Sequence, residues 1–143
     1  MGHGECVICE RIDRIKNGTN PFFVKELDTG YVVLGDHQYF RGYTLFLSKI
    51  HAHELHELDT AFRKQYLWEM SEVAAAVFRA FTPDKMNYEL LGNTERHLHW
   101  HLFPRYADDP NPNRPVWEHD HPPKPPSDAE SARTIDAIRR HLA

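Results

Sequence analysis

Three imidazoles at every second position, His97, His99 and His101, alternate with Leu98, Trp100 and Leu102, and two thiols stand three apart at Cys6 and Cys9. These residues have the types and spacing for chemistry. The alternation predicts a strand with the histidines on one face and the apolar side chains on the other, so one surface packs a core while the opposite one presents imidazoles. A rise of about 3.3 Å per residue separates neighbouring histidines by about 6.5 to 7 Å and the outer pair by roughly 13 Å, which argues against one ion shared by all three. Two of them can converge on a zinc when other ligands complete the tetrahedron. Alternatively the row divides its labour, one imidazole acting as nucleophile while its neighbours orient it or bind charge. A merely solvated row is the bland alternative, and the Leu, Trp and Leu behind it argue otherwise. Pro104 is expected to end the pairing.

Cys6 and Cys9 are the only cysteines, which argues against a secreted disulfide framework and for a reducing, cytoplasmic compartment. A redox pair would normally open a helix after a strand, and only five residues precede Cys6. Half a zinc site is the better reading. The best placed of the eleven histidines to complete it are His51 and His97.

The run His97-Leu98-His99-Trp100-His101-Leu102-Phe103 fits the signature of the histidine-triad (HIT) family at every position, and the chain resembles that family over roughly residues 6 to 106. The resemblance implies a nucleotide hydrolase or nucleotidyl transferase in which the middle histidine, here His99, attacks the α-phosphate. His101 would then bind the phosphate oxygens. Similarity to the branch with an N-terminal Cys-x-x-Cys implies a structural zinc on Cys6, Cys9, His51 and His97. Ser48-Lys49-Ile50-His51 resembles the family's Pro-Lys-x-His, with Ser in place of Pro. Asp36 stands near the family's ribose-binding acid, although a turn-capping role is equally open to it. Asn93 is the carry-over for a phosphate-contacting Asn. Many members have a Gly-rich phosphate cradle here. No glycine lies between Asn93 and His97, so phosphate binding would lean on Asn93, Thr94, Arg96 and His101. Arg96 and Arg105 are further candidates for bidentate phosphate binding, or are simply solvated. Family likeness also implies a homodimer.

The elements that must position these residues follow from patterning. Ile8, Ile12 and Ile15 recur at helical spacing over residues 7–16, with Asn17-Gly18 as the stop. Phe22 to Leu27 and Tyr31 to Leu34 read as a hairpin around Asp28-Thr29-Gly30. Tyr43 to Ser48 is too apolar for an exposed strand and belongs near the centre of a sheet. His53 and His56 rival His51 by spacing alone and are read as solvated. Asp59 caps the longest helix, whose stripe Phe62, Tyr66, Met70, Val73, Val77 and Phe81 is core, and Pro83 closes it. Asn87 to Asn93 is the expected partner of the histidine strand. Seven of the ten prolines fall between Asp108 and Pro126, an extended arm without a core of its own in which Trp117 should dock somewhere. Ser127-Asp128-Ala129-Glu130 opens a last helix with a capping box.

The expectation is therefore an α+β, HIT-like fold: an antiparallel sheet of about five strands, one long helix, and a C-terminal arm and helix. It is one domain over residues 1–143, with a core at about 6–108, the arm at 109–126 and the helix at 127–142. A chain of 143 residues with 41% hydrophobic content can bury such a core. A net charge of −4 argues against a general nucleic-acid binder, so any phosphate site is local. No apolar run reaches the length of about 20 residues needed to span a bilayer, no signal peptide is visible, and Cys6 stands where a myristoylation signal wants Ser or Thr. Two alternatives remain. A zinc-dependent hydrolase would ligate through His97 and His99, and a nucleotide-binding or scaffold protein would lack turnover.

Overall fold

The structure, a computed structural model, describes residues 5–118 and 124–142. Helix α1 (Val7–Lys16) is followed by strands β1 (Phe23–Glu26), β2 (Gly30–Leu34) and β3 (Thr44–Ser48). Helix α2 (Thr60–Phe81), strands β4 (Lys85–Glu89) and β5 (His99–Arg105) and helix α3 (Asp128–Arg139) complete the order. The five strands form one antiparallel sheet in the order β1-β2-β3-β5-β4, an α+β architecture. No helix among the described residues is long and apolar enough to cross a membrane.

Each helix starts and stops for a visible reason. The Cys6 sulfur caps α1 by accepting from the Cys9 amide at 3.2 Å, and Gly18, at φ +74°, carries the left-handed turn that ends it. Asp59 caps α2 through the Ala61 amide, and Thr82 takes the left-handed position at φ 45° before Pro83. Ser127 and Glu130 form the reciprocal capping box of α3.

The sheet is covered on both faces. Val32, Phe46, Leu98 and Leu102 pack with Tyr66, Val73 and Val77 of α2 and Ile138 of α3. On the opposite face Tyr31, Val33, Tyr43, Leu45, Leu47 and Phe103 meet Ile8 and Ile12 of α1. The central strand β3 is buried throughout, as its composition required.

Glu69 is a buried carboxylate on the core-facing stripe of α2. It accepts from the amides of Asp28 and Thr29, the Thr29 hydroxyl at 2.5 Å and the Gln65 amide. The long helix thereby holds the β1–β2 turn by hydrogen bonds to an ionised acceptor.

Three boundaries differ from expectation. The histidine strand begins at His99, not His97. Beyond Ser48 the chain bends, so Leu98 bonds to Ser48 and Ala52 instead of extending the ladder. Pro104 does not end the strand: pairing with β3 stops at Leu102, and Pro104 lies where only β4 flanks it, opposite Met86. Strand β4 covers residues 85–89, not 87–93, because alternation of Met86 toward α2 with Asn87 and Glu89 toward the other face decides the register, and Leu90 and Leu91 fall in the following loop.

The arm is fastened to the domain. Val116 is fully buried against the α1-side core. Arg105, expected at a phosphate or in solvent, is 2% exposed and does neither. Its guanidinium pairs with Asp109 at 2.7 Å, donates to Asn87 Oδ1 at 2.8 Å, and donates to the carbonyls of Asn111 and Arg114 at 2.7 Å each. A fork of planar donors suits this many acceptors.

Candidate functional site

Pairing places the chemistry on the face covered by α1. Leu47 opposes His99, Leu45 and Glu89 flank His101, and Asn87 flanks Phe103. The rings of His99 and His101 lie 4.9 Å apart at 64°. His97, two positions before the strand, turns its imidazole toward the two cysteines at the start of α1.

His99 is buried, with Nδ1 2.7 Å from the carbonyl oxygen of His97. A ring nitrogen facing a carbonyl carries the proton, so Nδ1–H donates and Nε2 keeps its lone pair. Burial pushes the pKa of His99 down, and the His97 carbonyl opposes this in part. The ring is thus a neutral imidazole with one nucleophilic nitrogen and no hydrogen-bond partner for it among the described residues. Which carbonyl or carboxylate orients His99 is not legible from residue types, because the acceptor is main chain.

His101 is enclosed by aromatic rings. Its Nδ1 is 2.6 Å from the hydroxyl of Tyr43. The Trp117 ring meets it edge-on at 5.6 Å and 84° and meets Phe103 at 5.7 Å and 86°, while the indole N–H bonds to Glu89. Burial, then the neighbouring His99, pushes the pKa of His101 down to about 4. Trp117 therefore docks on the histidine row. Tyr43 escaped sequence reasoning because it reads as one more β-former at the head of β3. Its signal was the period: Tyr43, Leu45 and Leu47 must share the face of whatever lies opposite.

The cysteines, His51 and His97 converge. Their ligand atoms all lie within 4.8 Å of one another and can hold a metal ion. Cys6 Sγ is 3.5 Å and Cys9 Sγ 3.4 Å from His97 Nδ1, Cys9 Sγ is 3.4 Å from His51 Nδ1, and the two Nδ1 atoms are 3.1 Å apart. The far nitrogen of His97 donates to the Ser48 carbonyl at 2.7 Å, which fixes the tautomer that turns Nδ1 inward. Both thiols are free of disulfide. Burial, then the Cys6 sulfur, raises the Cys9 thiol to about 12. A bound cation inverts that logic. His99 is not in this group, so the arrangement of a metal held by both His97 and His99 is not formed. His53 and His56 are exposed, and neither joins the group.

The other expected contacts are less concentrated. Asp36, on the bend after β2, forms an ion pair with Arg11 of α1 at 3.0 Å, and its side chain is 65% exposed. Asn93, Thr94 and Arg96 are exposed on the 90–98 loop, and none makes a side-chain hydrogen bond among the described residues. Arg96 lines a small recess with His97, His99, Gly92 and Glu95, whereas Asn93 and Thr94 stand outside it. Gly92, at φ +72°, makes the turn of this loop, one position before the stretch in which a glycine was sought.

With this geometry in place, comparison with known proteins is informative. The HIT domain family model matches residues 19–108, which leaves the two cysteines outside the matched span. Among curated proteins, Protein hit of Bacillus subtilis (strain 168) is 31% identical over 75 residues, 49% of this chain and 52% of that protein, so the match spans about half the length of the curated relative. A crystal structure of a histidine triad protein from Bradyrhizobium japonicum has a TM-score of 0.75 at 27% identity, covering 91% of this chain and 95% of that one. A Zn-bound histidine triad family protein from Mycobacterium smegmatis shares the fold, with a TM-score of 0.67 at 22% identity over 99% of this chain and 97% of that one.

Proposed function

This chain belongs to the HIT domain family, and from that premise we propose that it cleaves nucleotides at the α-phosphate through a covalent nucleotidyl-histidine on His99. One observation carries the reading: the His97 carbonyl 2.7 Å from Nδ1 leaves Nε2 of a neutral His99 as the nucleophile. Nε2 attacks the α-phosphorus, a P–N bond forms, and the bond to the leaving group breaks with its electron pair going to that group. Water then attacks phosphorus, the P–N bond returns its electrons to the ring, and the mononucleotide is released. Imidazole suits both halves, as a good nucleophile near neutral pH and a good leaving group once protonated. His101 donates a hydrogen bond to the phosphoryl oxygens as charge develops, and Asn93, Thr94 and Arg96 supply further donors from the 90–98 loop. Asp36 binds the ribose hydroxyls. The substrate class is dinucleoside polyphosphates or nucleoside phosphoramidates.

The metal is zinc, in a closed structural site. A tetrahedron with Zn–S near 2.3 Å and Zn–N near 2.0 to 2.1 Å has edges of about 3.6 Å between S and N and about 3.3 Å between N and N. The separations of 3.4 to 3.5 Å and 3.1 Å fit that donor set. Four protein ligands leave no position for substrate, so a bound zinc would supply rigidity, held by Cys6 and Cys9 at the start of α1, His51 in the bend after β3 and His97, two positions from the nucleophile.

We infer a homodimer through α2 and β4. Trp68, Ser71, Ala75 and Phe78 form one stripe at intervals of three and four, with Trp68 61% and Phe78 45% exposed, and the open edge strand β4 adds Tyr88. Two cysteines that form no disulfide fit the proposed cytoplasmic setting.

The test is mononucleotide release from a panel of dinucleoside polyphosphates and adenosine phosphoramidates by wild type and His99→Ala. Release by the wild type that drops at least about 1,000-fold in a folded mutant is the expected result. Equal rates would remove His99 as nucleophile. Nucleotide binding without release by either protein would favour a binding module, for which the uncommitted 90–98 loop is the supporting observation.

A further inference from the structure

Among the residues expected to touch substrate, Tyr43 is hydrogen-bonded to His101 alone, and no motif accounts for it. Its ring is held on every side. Phe103 stacks on it at 4.1 Å and 13°, and His37 lies 5.2 Å away. Gly35 provides the berth behind it, since a Cβ there would come within 2.1 Å of the ring. The Tyr43 carbonyl accepts from the Gly35 amide and from Gln38 Nε2, both at 2.9 Å, and its amide bonds to Phe40. A side chain fixed this firmly places its hydroxyl at one point, 2.6 Å from His101 Nδ1.

We propose that Tyr43 is a positioning residue that donates its hydroxyl proton to His101 Nδ1 and so keeps the His101 proton on Nε2, aimed at the phosphoryl group. The inference deepens the nucleotidyl-transfer reading and rests on it for its catalytic consequence.

The direction of the hydrogen bond follows from what each alternative leaves unmet. Tyr43 is 5% exposed, and His101 Nδ1 is the only acceptor within reach of its hydroxyl among the described residues. If Nδ1 carried the proton, the Tyr43 O–H would be buried without an acceptor, and the outward Nε2 lone pair would face the phosphate oxygens. Leaving an enclosed donor unmet is unfavourable. With Tyr43 donating, the O–H is satisfied and Nε2–H is a preset donor. Burial raises the Tyr43 hydroxyl above its ordinary 10, so it keeps its proton. The two histidines are then set in opposite senses: a carbonyl puts the His99 proton on Nδ1 and exposes a lone pair, while a hydroxyl puts the His101 proton on Nε2 and exposes a donor. Nucleophile and electrophilic support stand side by side on one strand face. Trp117, held by Glu89, keeps the His101 ring from turning out of this arrangement.

The test has two arms on the metal-loaded protein. Long-range 1H–15N correlation spectra of the nucleotide-free wild type should show His101 with an unprotonated Nδ1 and a protonated Nε2, and Tyr43→Phe, which keeps the ring, should shift both nitrogens toward a mixture. In turnover, Tyr43→Phe should lose about 10- to 100-fold in kcat with KM changed less than about threefold, because a donor is lost mainly where charge develops. A wild-type spectrum with Nδ1 protonated, or a folded Tyr43→Phe with unchanged tautomer and kcat, overturns the proposal. The wild-type spectrum decides even if the variant does not fold. If the wild type shows no turnover while the spectra behave as expected, the activity reading fails and the tautomer assignment stands.

Discussion

At the scale of single residues, the tightest commitments are made by side chains whose partners lie far away in sequence. Arg105 is the clearest case. Its four bonds gather Asn87, Asp109, Asn111 and Arg114, and through them the turn that carries Val116 and Trp117. Arg105→Met should cost about 3 kcal/mol, because the Asp109 carboxylate loses its guanidinium in a buried place and three acceptors lose a donor; urea unfolding at neutral pH would measure it. Trp117→Ala leaves that frame intact. It should change stability by less than about 1 kcal/mol, since the ring is half exposed, but lower kcat and loosen preference among leaving groups by freeing the His101 ring. Equal loss for every leaving group would contradict a role at that end of the site. Placement was legible where it depended on type and spacing, as in the convergence of Cys6 and Cys9 with His51 and His97. It was hidden where it depended on a partner: Arg105 and Arg96 look alike in sequence, yet one is sealed in the core and the other lies in solvent.

At the scale of elements, helix α2 both roofs the sheet and grips a hairpin. Burial alone would raise the Glu69 carboxyl, but hydrogen bonds from Thr29, Gln65 and Asp28 outweigh it and hold the pKa below its ordinary 4.5. A depressed carboxyl contributes stability in full above the unfolded value, and the contribution fades as the pH falls through the folded one. Glu69→Gln should therefore be about 2 kcal/mol less stable than wild type at pH 7, with a gap that narrows below about pH 4.5. Denaturant titrations at pH 7 and pH 3.5 compare the two, and a gap independent of pH would count against the ionised cap. At the other end of α2, Thr82 holds a left-handed conformation that a β-branched residue adopts reluctantly. Thr82→Gly should raise Tm, by about 1 kcal/mol of stabilisation, with activity unchanged. Helix limits were legible because caps and stops are local. Strand limits were not, because the ends of β4 and β5 depend on where the chain after β3 bends, and that is set by contacts of Ser48 and Ala52 with Leu98.

At the scale of the whole molecule, the alternating histidines and the apolar stripe of α2 made the α+β layering readable before any coordinates, whereas the closing of the arm onto the sheet was not, since prolines specify extension but not destination. With zinc bound as proposed, its removal should lower Tm by several degrees and its addition should restore Tm, with residual release of mononucleotide at low temperature, because the four ligands would give rigidity and not chemistry. Complete and immediate loss of turnover in a still folded protein would point to a catalytic metal. On the proposed dimer, Trp68→Glu combined with Phe78→Glu should yield a monomer by sedimentation at concentrations where the wild type is expected to associate. The metal group also has a consequence for how the chain comes into being. Its ligands are spread from Cys6 to His97, 91 residues apart. At synthesis rates of roughly 5 to 20 residues per second, the N-terminal thiols wait on the order of 5 to 20 s on the ribosome before the last ligand is even made. During that interval α1 has neither its metal nor the finished sheet to rest on. The packing of α1 is therefore completed only after the histidine strand has been made.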